Sequence, residues 1–148
     1  MTRDDEGTAI VEFVFIAVLV MVPLIYLIAA VATVQRNSLA VSQAARDAGR
    51  AFVTSDTADQ ARLRVTAAVR LALADQGLPD DADVRFVAAG APCDSATVAP
   101  QLTPGARFTV CVIRRVQLPA VPSVLTGRGI RTVGAYTVVV DDYRGGGS

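Results

Sequence analysis

From Phe13 to Val34 the chain runs for 22 residues without a charged side chain. At about 1.5 Å per residue, a helix of that length reaches roughly 33 Å, which matches the ~30 Å hydrocarbon core of a bilayer. A helix packed into a globular domain keeps a polar face toward water, and this run offers no charged one. The segment therefore predicts a single membrane-crossing helix. The chain of 148 residues leaves room beyond it for one modest domain.

Composition removes several classes of function. The 14 basic residues, all Arg, balance 14 acidic ones, so there is no concentrated basic surface of the kind that nucleic acid requires. There is no His, which excludes Ser-His-Asp and Cys-His catalysis and any zinc site built on imidazole. The two cysteines, Cys93 and Cys111, cannot form a four-ligand metal site alone. No Gly-rich phosphate loop precedes a helix. The ionisable groups form no convergent set with a catalytic role. The chain reads as a non-enzyme, with no cofactor, no metal and no small-molecule substrate.

Three kinds of segment compete for the apolar run. A cleaved secretory signal would find a small-residue site at Ala30-Val31-Ala32, but the leader Met1-Thr2-Arg3-Asp4-Asp5-Glu6 is net acidic where a signal is basic. The run is also longer than a usual signal core. A plain anchor would give the flanking residues no meaning. A pilin-type segment is favoured by the flank itself, Glu6-Gly7-Thr8-Ala9-Ile10-Val11-Glu12-Phe13. There a polar leader ends in Gly, small and apolar residues follow, and one Glu sits at the membrane edge. A charge in such a helix costs up to ~3 kcal/mol at the bilayer centre and less near the interface. Nothing within the segment neutralises Glu12, so it is a candidate functional group. The bland alternative is a Glu resting in the headgroup layer.

A Gly followed five residues later by Glu and then a hydrophobic helix resembles the processing site of type IV prepilins. Glu12-Phe13, taken with Ser42-Gln43-Ala44-Ala45-Arg46-Asp47-Ala48-Gly49-Arg50, is similar to the TadE-like family of the tight-adherence (Tad/Flp) pilus system. The likeness covers roughly the first 50 residues; the remainder agrees only in general layout. It implies a prepilin leader at 1–7, a transmembrane and assembly helix at 8–34, an extracytoplasmic domain at 35–143 and a flexible tail at 144–148. It also implies cleavage between Gly7 and Thr8 by a prepilin peptidase, after which Glu12 meets the freed amine of a neighbouring subunit. The implied partners are the membrane, that peptidase, other pilin subunits and a pilus assembly platform, with extrusion driven by a separate ATPase. Major pilins of the system are shorter, so the domain argues for a minor pilin or pseudopilin acting in filament initiation, at the tip or in adhesion. The alternative is an unprocessed single-pass protein whose outer domain binds a ligand or scaffolds other membrane proteins.

Orientation evidence is divided. One Arg (Arg3) precedes the run and Arg36, Arg46 and Arg50 follow it, which by itself favours the N-terminus outside. The N-terminal tail is very short, however, and the later arginines belong to a continuing helix. The motif and the cysteines place the N-terminus in the cytoplasm and the domain outside it. Pro23 lies inside the run and lacks a backbone donor, so a kink or a loosened turn is expected there.

Beyond the run, Leu39, Ala40, Ala44, Ala45, Ala48, Ala51 and Phe52 recur near a 3.6 period and extend the helix to Phe52. The stripe is small, suited either to packing on the protein's own domain or to a neighbouring subunit. Ser55-Asp56-Thr57 marks a break and an N-cap. A second helix is predicted over 58–76, with Ala61, Val65, Ala68, Val69, Ala72 and Leu73 inward, Gly77 as cap and Pro79 as stop. The period then switches to two. Strands are predicted at Asp83–Ala89, at Arg107–Leu118 with Arg114 interrupting the alternation, and at Ile130–Asp141. Pro92, Pro100, Pro104 and Gly105 mark the first connection; Pro119, Pro122, Gly127 and Gly129 mark the second. The expected fold is α+β: a long N-terminal helix, a second helix and a small three-stranded antiparallel sheet packed on both.

Cys93 falls in a Pro-bounded loop and Cys111 in mid-strand, on the face opposite Phe108 and Val110. A disulfide between them suits a small domain outside the cytoplasm and would contribute roughly 3 kcal/mol by chain entropy; two buried thiols are the alternative. Asp80, Asp81 and Asp83 lack the spacing of a calcium loop and read as a solvated turn, as does Asp141-Asp142 at a strand end. Arg114-Arg115 reads as a solvated strand edge, with contact to an anionic surface polymer as the sharper reading.

Overall fold

The computed structural model describes residues 5–118, 127 and 129–142, with side chains from Ile10 onward. Its elements are α1 (Asp5–Val53), α2 (Ala58–Asp75), β1 (Asp83–Ala88), β2 (Arg107–Val116) and β3 (Ile130–Val139). The fold is the α+β arrangement that the periodicities predict. Pro119, Pro122 and the tail at 144–148 lie outside the described residues, as do residues 1–4 of the expected leader. The chain divides into two compact units, Met1–Thr33 and Val34–Ser148.

In the first unit, α1 is long and apolar enough to cross a membrane, and none of its most apolar window is buried within the protein. It runs helical through Pro23. The hydroxyl of Thr33 donates to the carbonyl of Ala29 at 2.8 Å, which satisfies it within the helix.

The second unit is built on the last part of α1. Asn37, Ala40, Val41, Ala44, Ala45, Ala48 and Phe52 are buried there. The small-residue stripe is therefore packed on the protein's own domain. Two positions differ from the expected stripe. Leu39 points out at 71% exposure and Val41 points in, while Ala51 is half-buried. A helix packed on a sheet buries a stripe about 100° wide, and Val41 lies between Ala48 and Phe52 on that arc where Leu39 does not.

Thr57 caps α2, its hydroxyl accepting from the Gln60 amide at 3.3 Å, while the Gln60 side chain accepts from the Asp56 amide at 2.9 Å. At the other end the Leu78 amide donates to Leu73 O at 2.9 Å and the Gly77 amide to Ala74 O at 2.8 Å. With Gly77 at φ 64°, this is a Schellman termination, and the half-turn places Leu78 back against the core. Asp75, not Gln76, is the last helical residue because Gln76 serves as the C-cap.

The sheet has the order β1-β2-β3, all antiparallel, so β2 is central. The alternation of β2 sends Phe108, Val110 and Val112 into the main core and Cys111 into a separate cluster with Val87 and Cys93 on the other face. Phe52 of α1, Phe86 of β1 and Phe108 of β2 form a tilted aromatic trio, with ring centroids 4.9 to 5.8 Å apart. The approach of β3 to α1 is closer than a side chain allows. A Cβ on Gly134 would stand 2.1 Å from the carbonyl oxygen of Val41, and one on Gly49 would stand 2.7 Å from Cγ2 of Val138.

Candidate functional site

The residues that carry the pilin resemblance all fall on α1. Gly7 and Thr8 lie within its first turns. Glu12 is exposed, and among the described residues it has no ion pair and no hydrogen bond from a side chain. Phe13 next to it is 72% exposed, and from Ile10 to Ile28 large apolar side chains stand open on every side of the helix. An exposed apolar surface of this extent marks a site that another apolar phase or partner covers. Chemically, this segment offers lateral packing surface and one carboxylate needing a cation.

The domain presents two further constellations. The first is buried. Arg114 of β2 is 7% exposed; its guanidinium donates to Asn37 of α1 and forms an ion pair with Asp81 in the connection before β1. A second bond runs from Nη2 to the other oxygen of Asp81 at 3.3 Å. Thr132 of β3 donates to the Arg114 carbonyl at 3.2 Å. The reading of Arg114 as a solvated strand edge is thus corrected. It stands on the central strand, in phase with Phe108, Val110, Val112 and Val116, and its charge is tolerated inside because a carboxylate and an amide oxygen receive it. The neighbouring acidic turn is paired piece by piece: Asp80 with Arg70 at 3.1 Å, Asp81 with Arg114, and Asp83 with Arg85 at 2.8 Å. Among the described residues no acidic or sulfur cluster is arranged to hold a metal.

The second constellation lies on the sheet face turned away from the helices. Cys93 and Cys111 form a disulfide, Cα to Cα 5.7 Å, that ties the β1–β2 connection to the central strand. The same connection is held at other points. The Val98 amide donates to Phe86 O at 2.8 Å, Thr97 bridges to Val87, and the Gly90 amide donates to the Thr109 hydroxyl at 2.9 Å. Beside the disulfide opens a cleft of about 420 Å³ lined by Asp81, Asp83, Arg85, Asp94, Ile113, Arg115 and Arg131. The register sets Arg115 directly opposite Arg131. Arg115 follows the alternation outward and is exposed, unlike its neighbour Arg114.

Sequence reasoning singled out Glu12, Phe13, Pro23 and the cysteines but not Asn37, Asp94 or Arg131. The inward phase of Arg114 was a signal for its burial. The meeting of Arg115 with Arg131 depends on the β2–β3 register, which no local pattern announces. No family model matches the chain, and neither a curated protein nor a solved structure matches it.

Proposed function

We propose that the chain is a minor pilin or pseudopilin subunit of a Tad, type IV-like pilus. It is processed after Gly7 by a prepilin peptidase and assembled through its N-terminal helix with other pilin subunits on an assembly platform. The reading rests foremost on Glu12, an exposed carboxylate at the start of an apolar, membrane-length helix, with no cation bonded to it among the described residues. A carboxylate entering apolar surroundings is tolerated only with a partner. Cleavage between Gly7 and Thr8 would create one, the free amine of Thr8 on an adjacent subunit. The exposed faces of the helix then supply lateral packing, and Pro23, which removes one helical hydrogen bond, gives the packed helices a turn that yields. The role is filament initiation, tip formation or adhesion, without enzymatic activity.

The proposed topology has the N-terminus in the cytoplasm and the domain outside. A disulfide in the domain favours that side, because thiols stay reduced in the cytosol. The test is mass spectrometry of the N-terminal peptide from native, membrane-extracted protein. A chain starting at Thr8 is the expected result; a chain starting at Met1 leaves only a tethered domain and overturns the filament reading. The companion experiment is Glu12→Ala, expected to insert into the membrane normally and to be lost from filaments.

A further inference from the structure

We propose that the outer face of the sheet binds an acidic saccharide, whose anionic group is held between Arg115 and Arg131 and whose hydroxyls donate to Asp94. The inference is independent of the filament reading, since every residue in it belongs to the domain.

Arg115 and Arg131 face each other directly across the β2–β3 pair. Like charges in that position cost stability, so a protein that gained nothing from them would be better served by almost any other pair. Neither guanidinium has a carboxylate within 4.0 Å among the described residues, whereas the nearby charges do: Arg85 is taken by Asp83 and Asp81 by Arg114. What the cleft leaves unpaired is two adjacent cations and one acid, Asp94.

Each part of that set selects a ligand property. Two neighbouring guanidinium forks match the oxygens of a carboxylate or phosphate. An ionised Asp accepts and cannot donate, so Asp94 favours a ligand bearing hydroxyls. Ile113, on the same strand face as Arg115, supplies an apolar patch for the C–H face of a sugar ring. A volume of about 420 Å³ is that of a small-ligand site. The carboxylates of Asp81, Asp83 and Asp94 in the lining repel a long polyanion, which argues for a short acidic saccharide that seats one acid at a time between the two guanidinium groups, and against nucleic acid or a membrane surface. The cleft is also preorganised: Asp94 follows Cys93, whose disulfide to Cys111 anchors that loop to the strand that carries Ile113 and Arg115.

The test is isothermal titration calorimetry on the full chain in a detergent without a sugar headgroup, with trigalacturonate, maltotriose and hexaglutamate as probes. Trigalacturonate is expected to bind saturably, and Arg115→Gln, Arg131→Gln and Asp94→Asn each to weaken it by about tenfold or more. Arg131→Gln is expected to melt at or above the wild-type temperature, because it relieves the opposed charges and leaves the core untouched. Four results overturn the proposal. Trigalacturonate fails to saturate, or maltotriose binds within about twofold of it, so that the acid is irrelevant. Hexaglutamate binds within about twofold, which reduces the site to charge attraction. Or the Arg variants bind as wild type does.

Discussion

Replacing Gly134 with alanine drives a methyl group into the backbone of α1. The new carbon would stand 2.1 Å from the carbonyl oxygen of Val41, 2.3 Å from its carbonyl carbon and 2.6 Å from the Ser42 nitrogen. Real Cβ contacts do not fall below 3.0 Å, so strand and helix must part by roughly 1 Å. A side chain in the way could change rotamer; a helix backbone can only translate. Separation by that amount forfeits about a quarter to a half of the dispersion energy of each contact across the seam. That seam includes Ala40, Val41, Ala44, Ala45 and Ala48, all buried against the sheet and α2. Overpacking typically costs about 1–3 kcal/mol, and a backbone obstacle places Gly134→Ala at the upper end, about 3 kcal/mol. For a domain of this size, that lowers the melting temperature by about 12–24 °C. Differential scanning calorimetry of the detergent-solubilised chain, disulfide intact, reads the shift directly. Gly77→Ala is the control: its site at φ 64° is strained for a side chain, but nothing lies within 4 Å, so a loss of only about 1 kcal/mol is expected. Gly134→Ala melting within about 2 °C of wild type would refute the packing argument.

Other perturbations test separate parts of the fold. Asp81→Ala is expected to destabilise by about 3 kcal/mol, because it strands a guanidinium that is 7% exposed; Arg114→Met is expected to cost less, about 2 kcal/mol, since the carboxylate it releases is half-exposed and hydrates and only the neutral amide of Asn37 loses a donor inside. Urea denaturation of both variants checks that order, and the reverse order would sink it. Reduction of Cys93–Cys111, which closes a loop with a sequence separation of 18, is expected to remove about 3 kcal/mol, seen by the same titration with and without reductant. Intact mass should rise by two hydrogens on reduction. Phe52→Ala, which deletes one ring of the aromatic trio, is expected to cost about 3–5 kcal/mol by calorimetry. Gly49→Ala should cost less than Gly134→Ala, since its obstacles are the side chains of Val138 and Tyr136, and Tyr136 is exposed enough to swing aside.

Much of the fold was legible because burial here follows simple periods. The 3.6 spacing of Ala61, Val65, Val69, Ala72 and Leu73 and the alternation of Phe108, Val110 and Val112 each need only one face to be apolar. The termini of α2 were legible for a similarly local reason, since Thr57 and Gly77 act within one turn. What escaped was non-local. Arg114 looked like an interruption because its acceptors, Asn37 and Asp81, stand 77 and 33 residues away. Gly134 sits within the strand predicted at Ile130–Asp141, and only its closeness to Val41, distant in the sequence, gives it a role, although a Gly inside a strand often marks a close backbone approach. The outward cleft was invisible because it exists only once register brings Arg131 beside Arg115.

The long helix is apolar and unburied near its start and part of the core near its end, and that determines where the domain can be separated from the apolar segment. Residues from Asn37 to Phe52 furnish the aliphatic floor on which α2 and the sheet rest, and Asn37 receives the buried guanidinium. A protease or a cloning boundary set anywhere within that stretch would remove part of the core and release an unfolded remnant. A water-soluble fragment that keeps its shape must begin before Asn37, taking the last turns of the helix with it.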